Sequence, residues 1–321
     1  MSLLDFRKVE RRFAVKRSLG DVIANRPPVY LHAVRGVDLN VRQGEILGIV
    51  GESGCGKSTL ARIGVGLQPS SAGEVLFNGQ RIDGPDYDGR LQMVFQDPYS
   101  SLNPRMTIGA QLEEVIAHYR RDIPAKERKQ QVLRVLDEVN LVAETALKFP
   151  HALSGGQRQR VSIARALCAN PQVLFADEPV SALDASVQAQ IINLMKSLNR
   201  DKGLTIVFIS HDMNVVRYLC DRVAVMYLGE IVELQDSADL FASPRHPYTQ
   251  ALIAAVPDVR RTQSLREPIT GEIPDPFAIL PGCRFATRCR FAEADCQKAQ
   301  PMQPVAKGGV VRCWKADRNH S

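Results

Sequence analysis

Apolar residues are arranged in two main ways along this chain, and each arrangement predicts a different element. Short unbroken runs read as strands: Ile46-Leu47-Gly48-Ile49-Val50, Val173-Leu174-Phe175-Ala176, Leu204-Thr205-Ile206-Val207-Phe208-Ile209 and Val223-Ala224-Val225-Met226-Tyr227. Strand character extends over 39–50 as a whole and returns at Gly73 to Phe77, while the opening segment alternates shorter apolar runs with turn residues. From Asp97 to Asn170 the spacing becomes helical. Leu112, Val115 and Ile116, then Val132, Leu133, Val135, Leu136 and Val139, recur at three- and four-residue steps, with Pro124 and Pro150 as breaks. Beyond Leu240 the prolines at 244, 247, 257, 268, 274, 276 and 281 exclude any long helix. The pattern predicts an α/β domain over residues 1–240 with a helical subdomain at about 97–170, followed by an extension over 241–321. No repeat of the solenoid kind is present in the sequence.

Composition narrows the setting. A chain of 321 residues, 45% of them hydrophobic, can bury one large core and a small appended unit. The net charge of +6 would suit nucleic acid or anionic lipid, but the basic residues are scattered. A solvated basic surface is the better reading, with no nucleic-acid partner. No apolar stretch reaches the roughly 18 residues that cross a bilayer, and Met1 to Arg12 is too charged for a secretory leader, so a cytoplasmic chain is expected. In a reducing compartment, any grouped cysteines among the seven are better used for a metal or cluster than for disulfides.

Candidate chemistry starts at 51–59. Gly51-Glu52-Ser53-Gly54-Cys55-Gly56-Lys57-Ser58-Thr59 satisfies the phosphate-loop pattern GxxxxGK[ST] directly after an apolar strand. Its glycines let backbone N–H groups turn inward around phosphates, Lys57 neutralises the outer phosphates, and the Ser58 hydroxyl can ligate Mg²⁺. A second signal is the strand at 173–176 that delivers Asp177 and Glu178 at its carboxyl end, where parallel sheets place their ligands. Asp177 would hold Mg²⁺ through water, and Glu178 would polarise the water that attacks a γ-phosphate. A third is Leu153-Ser154-Gly155-Gly156-Gln157, in which Ser154 is a good N-cap and two glycines expose N–H groups. One γ-phosphate needs one clamp, so this second clamp is expected to serve a nucleotide held by a facing subunit.

Together GESGCGKST, LSGGQ, LFADEP, SALD and an isolated His211 after a strand resemble the ATPase subunit of an ABC transporter, in the family's order, over residues 30–240. The resemblance implies a phosphate-loop nucleotide-binding domain using ATP and Mg²⁺. It implies that Gln96 senses Mg²⁺ and the membrane partner, that Ser181 to Asp184 form the loop crossing between two ATPases, and that His211 contacts the γ-phosphate. Adenine stacks on an upstream aromatic in this family. Phe13 and Tyr30 are the candidates, because residues 14–29 look inserted. The stretch from Met93 to Arg105 and the run Arg245-His246-Pro247-Tyr248-Thr249-Gln250-Ala251-Leu252 are similar to the oligopeptide and dipeptide importer subfamily. The implied partners are a second ATPase subunit, two transmembrane permeases and, indirectly, an external solute-binding protein, with this chain at the cytoplasmic face of the membrane. Two other classes share these motifs: a soluble ABC-type ATPase acting on nucleic acid or ribosomes, and a redox-sensing regulatory subunit.

The extension holds Cys283, Cys289, Cys296 and Cys313, spaced C-x5-C-x6-C-x16-C. Soft sulfur ligands select zinc or an iron–sulfur cluster, and the lack of a tight CxxC pair argues against an ordinary zinc ribbon. Similar tails in the subfamily carry a [4Fe–4S] cluster in some members, which the resemblance extends to this chain as an expectation, with zinc or unliganded thiols as the alternatives. Cys55, Cys168 and Cys220 fall inside core elements and read as small buried hydrophobes, with Cys55 also a candidate for alkylation.

Overall fold

A computed structural model describes residues 2–15, 25, 27–82, 89–99, 101–256, 271, 274–275, 277 and 281–316. In chain order the first strands are β1 (Ser2–Ala14), β2 (Tyr30–Arg42) and β3 (Ile46–Val50), followed by helix α1 (Lys57–Gly64) and strands β4 (Ala72–Phe77), β5 (Gln80–Arg81) and β6 (Leu91–Val94). Helices α2 (Ile108–Tyr119), α3 (Ala125–Glu138) and α4 (Gly155–Leu167) come next, then β7 (Val173–Asp177), α5 (Ala185–Lys202) and β8 (Thr205–Ile209). The chain continues with α6 (Met213–Leu219), β9 (Arg222–Tyr227), β10 (Glu230–Asp236), α7 (Ser237–Ala242) and α8 (Pro247–Ala254). It closes with the two-residue strands β11 (Gln303–Pro304) and β12 (Val310–Val311). These elements form two compact units, each discontinuous in sequence.

The first unit comprises Met1–Ser2, Val41–Ile46 and Ile82–Ser210. Its strands run parallel in the order β8-β7-β6, with Leu91 opposite Val173 and Val173 opposite Thr205. All five residues of β7 and of β8 are buried, the signature of strands covered on both faces. Helices α2, α3 and α4 pack on one another in the segment read as helical. Ile108, Leu112 and Ile116 form the inward stripe of α2, while Val132, Val135 and Leu136 form that of α3. Leu133, read as part of that stripe, is 43% exposed instead. It lies one residue from Val132, and a helix rotates consecutive residues by about 100°.

The second unit comprises Leu3–Asn40, Leu47–Arg81 and His211–Ser321. One sheet has the order β2-β1-β4-β5. Beside it run the strands β11-β12-β10-β9-β3, in which β3 and β9 are parallel and the pairs from β9 outward are antiparallel. Against β3 the Cβ position of Gly48 lies 3.0 Å from both Cys220 Sγ and Val216 Cγ1, so a larger residue there would press on the end of α6.

Two expectations change, and one element is new. The strand read across 39–50 is two strands, because β2 ends at Arg42 and Gly44, with φ of 74°, turns the chain before β3. The opening segment is a single 13-residue strand rather than short runs. Its cross-strand partner β4 lies about seventy residues on, which no local alternation reports. The extension, for which the prolines predict only the absence of a long helix, contributes β12 alongside β10, with Leu234 opposite Val310. Among the described residues no helix is long and apolar enough to cross a membrane.

Candidate active site

In the second unit the phosphate loop joins β3 to α1. Gly51, Gly54 and Gly56 have φ of 152°, 80° and 107°. At Gly51 a Cβ would collide with the Met226 carbonyl, and at Gly56 with that of Ala33, so backbone approach forbids side chains at both. Lys57 is 5% exposed, and its Nζ donates to the carbonyls of Gly51 at 2.8 Å and Glu52 at 3.0 Å, the inner rim of its own loop. The loop thereby closes around its own cation, a geometry suited to trading carbonyl partners for phosphate oxygens. Ser53, Ser58 and Thr59 occupy the loop and the first turn of α1. Cys55 is 3% exposed and burial raises its thiol pKa, which contradicts its candidacy for alkylation. His211 is exposed, just before Asp212, whose carboxylate accepts from Asn214 N and Val215 N and caps α6. Tyr30 is 43% exposed at the start of β2, and Phe13 lies in β1 beneath the Arg11 guanidinium at 4.8 Å. Most of the stretch read as inserted lies outside the described residues.

In the first unit Asp177 ends β7 with 4% exposure. Glu178 follows with φ of 46°, in the left-handed region that a residue bearing a side chain seldom enters. Its N–H donates to the Ile209 carbonyl at 3.0 Å, and its own carbonyl accepts from Ser181 Oγ at 3.1 Å. The side chain is held as well, since Gln96 Nε2 donates to Glu178 Oε2 at 3.1 Å. The fold therefore brings together two residues 82 positions apart, one expected to activate water and the other to sense the metal.

The LSGGQ segment opens α4 with a capping box. Ser154 Oγ accepts from Gln157 N at 3.3 Å, and Ser154 N donates to Gln157 Oε1 at 3.1 Å. Gly155 has ordinary van der Waals room toward Leu183, whereas a Cβ on Gly156 would overlap the Val187 side chain of α5. Asp184 is an N-cap too: its Oδ1 accepts from Ser186 N at 3.1 Å and Val187 N at 3.0 Å, and its pKa is lowered first by the Ser186 hydroxyl, which donates to it at 2.6 Å, and then by these backbone bonds.

The four cysteines of the extension meet at one small cavity of about 10 Å³, lined also by His246, Phe285, Phe291 and Trp314. Burial raises the pKa of Cys283 to about 12 and pushes those of Cys289 and Cys313 upward. Trp314 Nε1 donates to Cys296 Sγ at 3.3 Å, and Glu293 N donates to the same sulfur at 3.5 Å. Among the described residues no three His, Cys, Asp or Glu side chains are grouped so as to hold a metal ion. Neither a zinc site nor a cluster site is therefore established.

Arg288, Tyr248 and His246 make contacts that nothing in the local sequence predicts. Tyr248 is fully buried and its OH accepts from Glu52 N at 2.8 Å. Arg288 reaches the Glu52 carboxylate with both terminal nitrogens, at 2.8 and 2.9 Å. His246 caps α8, its Nδ1 accepting from Tyr248 N. An arginine beside a cysteine and a tyrosine after a proline carry no local signal of such distant contacts.

Comparison with known proteins decides the family. The ABC transporter family matches residues 34–181, and the C-terminal region of oligopeptide/dipeptide transporters matches residues 232–296. The oligopeptide transport ATP-binding protein OppF of Escherichia coli is 43% identical over 302 residues, 91% of this chain and 90% of that protein. This chain belongs to the oligopeptide/dipeptide group of ABC transporter ATP-binding proteins. The dipeptide transport ATP-binding protein DppF of E. coli is 42% identical over 92% of this chain and 90% of its own length. Among solved structures, the ATP-binding cassette MJ0796 in a dimeric post-hydrolysis state, bound to ADP and Pi, matches with a TM-score of 0.63 and 31% identity. That match covers 73% of this chain and 98% of that one. The ABC protein described here is thus an α/β cassette of the phosphate-loop type and an ATPase that uses ATP with Mg²⁺. Membrane permeases and an ATPase partner follow from that membership, and the nucleic-acid alternative is not favoured.

Proposed function

We propose that this ATPase energises the import of dipeptides or oligopeptides from the cytoplasmic face of the membrane, paired with a paralogous ATPase beneath two permeases that an external solute-binding protein supplies. The observation that carries the reading is the presence on one chain of the ABC match and, beyond it, the peptide-transporter C-terminal match. In this reading Gly51, Ser53, Gly54, Gly56 and Thr59 cradle the phosphates by backbone and hydroxyl groups. Lys57 balances charge on the β- and γ-phosphates as the bond to the γ-phosphate loosens. Ser58 in the second unit, and Asp177 and Gln96 in the first, are the residues that would each serve Mg²⁺, directly or through water. Glu178 accepts a proton from the attacking water, and His211 donates to the γ-phosphate. Ser154, Gly155, Gly156, Gln157 and Asp184 serve the nucleotide of the facing subunit, and Phe13 or Tyr30 stacks on adenine. Glu178→Gln keeps the shape and the Gln96 contact but removes the proton acceptor. The variant is expected to bind ATP, accumulate closed dimers and stop both turnover and uptake of labelled peptide in the reconstituted transporter. Normal turnover in that variant would take Glu178 out of the reaction, and normal hydrolysis without peptide uptake in the wild-type complex would remove peptide as the solute.

A receiving surface for a permease supports the membrane role. Leu102, Met106, Glu114, Val115, Tyr119 and Arg165 line a cavity of about 540 Å³ in the first unit, just after Gln96 in the sequence, with a wall that mixes apolar groups with charges of both signs and suits a short amphipathic helix. Motion of Gln96 with nucleotide state would pass to that helix.

The cysteines of the extension fit an iron–sulfur cluster better than a single zinc ion. All four line one cavity, and their spacing lacks the tight CxxC pair of an ordinary zinc ribbon. Two N–H donors already aim at Cys296 Sγ, the hydrogen bonding that stabilises a thiolate bound to iron. Cys283, Cys289, Cys296 and Cys313 would hold the cluster, which would supply an electron-accepting and structural centre remote from the phosphate chemistry.

A further inference from the structure

Glu52 is an awkward residue for a loop that binds a polyanion. It is the second residue of GESGCGKS, its carbonyl accepts from Lys57 Nζ, and a carboxylate so close to the cradle would oppose a nucleoside triphosphate. The fold answers this charge from a segment far along the chain. Arg288 lies in a single 3-10 turn, Ala286–Arg288, and its side chain is 5% exposed against 24% for Glu52. The pair is two-pronged, which fixes direction as well as distance. Arg288 Nη1 also donates to Tyr227 OH at 3.3 Å, and the ion pair with Glu52 raises the arginine's pKa further, so it stays charged at every relevant pH. On the backbone side, Tyr248 OH receives the Glu52 N–H. Phe285 packs its ring at 5.4 Å from both Tyr227 and Tyr248, filling the space between the two polar contacts. The turn that carries Arg288 is itself closed by Ala286 N donating to the Cys283 carbonyl and Cys289 N donating to that of Ala286.

We infer that Arg288 is a positioning residue of the phosphate loop, neutralising and orienting Glu52 so that the cradle presents net positive charge to a nucleoside triphosphate. The extension is then a working part of nucleotide binding. The inference stands on the ATPase assignment and is independent of whether the cysteines hold a cluster.

The test measures MgATP KM and kcat of the assembled transporter. Arg288→Ala leaves Glu52 half-buried and unpaired, and KM is expected to rise about tenfold with kcat within about twofold. Adding Glu52→Gln to that variant removes the unbalanced charge and is expected to restore most of the lost affinity, a rescue that a merely structural arginine would not permit. An unchanged KM in Arg288→Ala, or an equal rise in the double variant, overturns the inference. Where Arg288→Ala does not fold, Arg288→Lys and Arg288→Gln decide it: the charged variant keeps KM nearer the wild-type value, and equal KM values in the two overturn it.

Discussion

Glu178 and Gly156, two residues proposed for chemistry, are also fixed by their structural surroundings. The backbone of Glu178 occupies the left-handed region, at a cost of about 1 to 3 kcal/mol, and is held there by the Ile209 and Ser181 contacts. The strain sets the carboxylate where Gln96 meets it. Glutamine at 178 inherits the same backbone, which is why Glu178→Gln isolates proton acceptance from geometry. Gly156 reads in the sequence as a phosphate-clamp glycine, but the structure gives it a packing duty against Val187. Gly156→Ala is expected to lower stability by about 1 to 3 kcal/mol through overpacking. Thermal melts of the single variant and of the pair with Val187→Ala check this. The second substitution should recover much of the loss, and absence of recovery would remove packing as the cause.

At the level of elements, the segment from β10 to α8 is organised by two buried polar side chains. Glu233 is fully buried and its carboxylate accepts from Arg245 N at 2.7 Å and His246 N at 2.9 Å, which pins the loop entering α8. Burial, and next the positive field of Arg312, lower the pKa of His246 to about 3. The folded state keeps this imidazole neutral while an unfolded chain would protonate it near pH 6.5, so the linked stability is complete above 6.5. It is lost as pH falls toward 3. Going from neutral pH to about pH 5 should cost about 2 kcal/mol from this group alone. His246→Asn retains an acceptor for Tyr248 N and lacks the titration. The drop in melting temperature between those two pH values should therefore be smaller in the variant, and an equal drop would acquit His246. The sequence carried the helix stripes, the caps and the buried strands of this level, because each depends on residues within a turn or two of one another. It did not carry β12, whose two residues become a strand only by pairing with β10.

For the whole molecule, the proposal that the extension holds a cluster has a direct consequence. Full-length protein purified without oxygen is expected to carry about four iron atoms and matching sulfide per chain, with broad visible absorbance lost in Cys296→Ser. Colourless protein free of iron, after expression with ample iron, would leave the four cysteines as free thiols. Membership in the ABC family rests on motifs legible without any structure, and the comparisons extend it over nearly the whole chain. The role of the extension was less legible. Its cysteines stood out by count, but their neighbours gave no sign of what they touch.

What the sequence by itself determined is the chemistry written in contiguous residues: glycines that free N–H groups for phosphate, a lysine and a serine at the head of a helix, acids at the end of a buried strand, and capped helix starts. These follow from covalent geometry and short-range periodicity, which act over a few residues. Tertiary structure alone decided which distant residues become neighbours. Arg288 reaches Glu52 across 236 positions, and Gln96 reaches Glu178 across 82. Such contacts form because the sheets and their crossovers bring the segments together, and the pairing energy of two charges, or of an amide with a carboxylate, leaves no trace in the spacing of either partner.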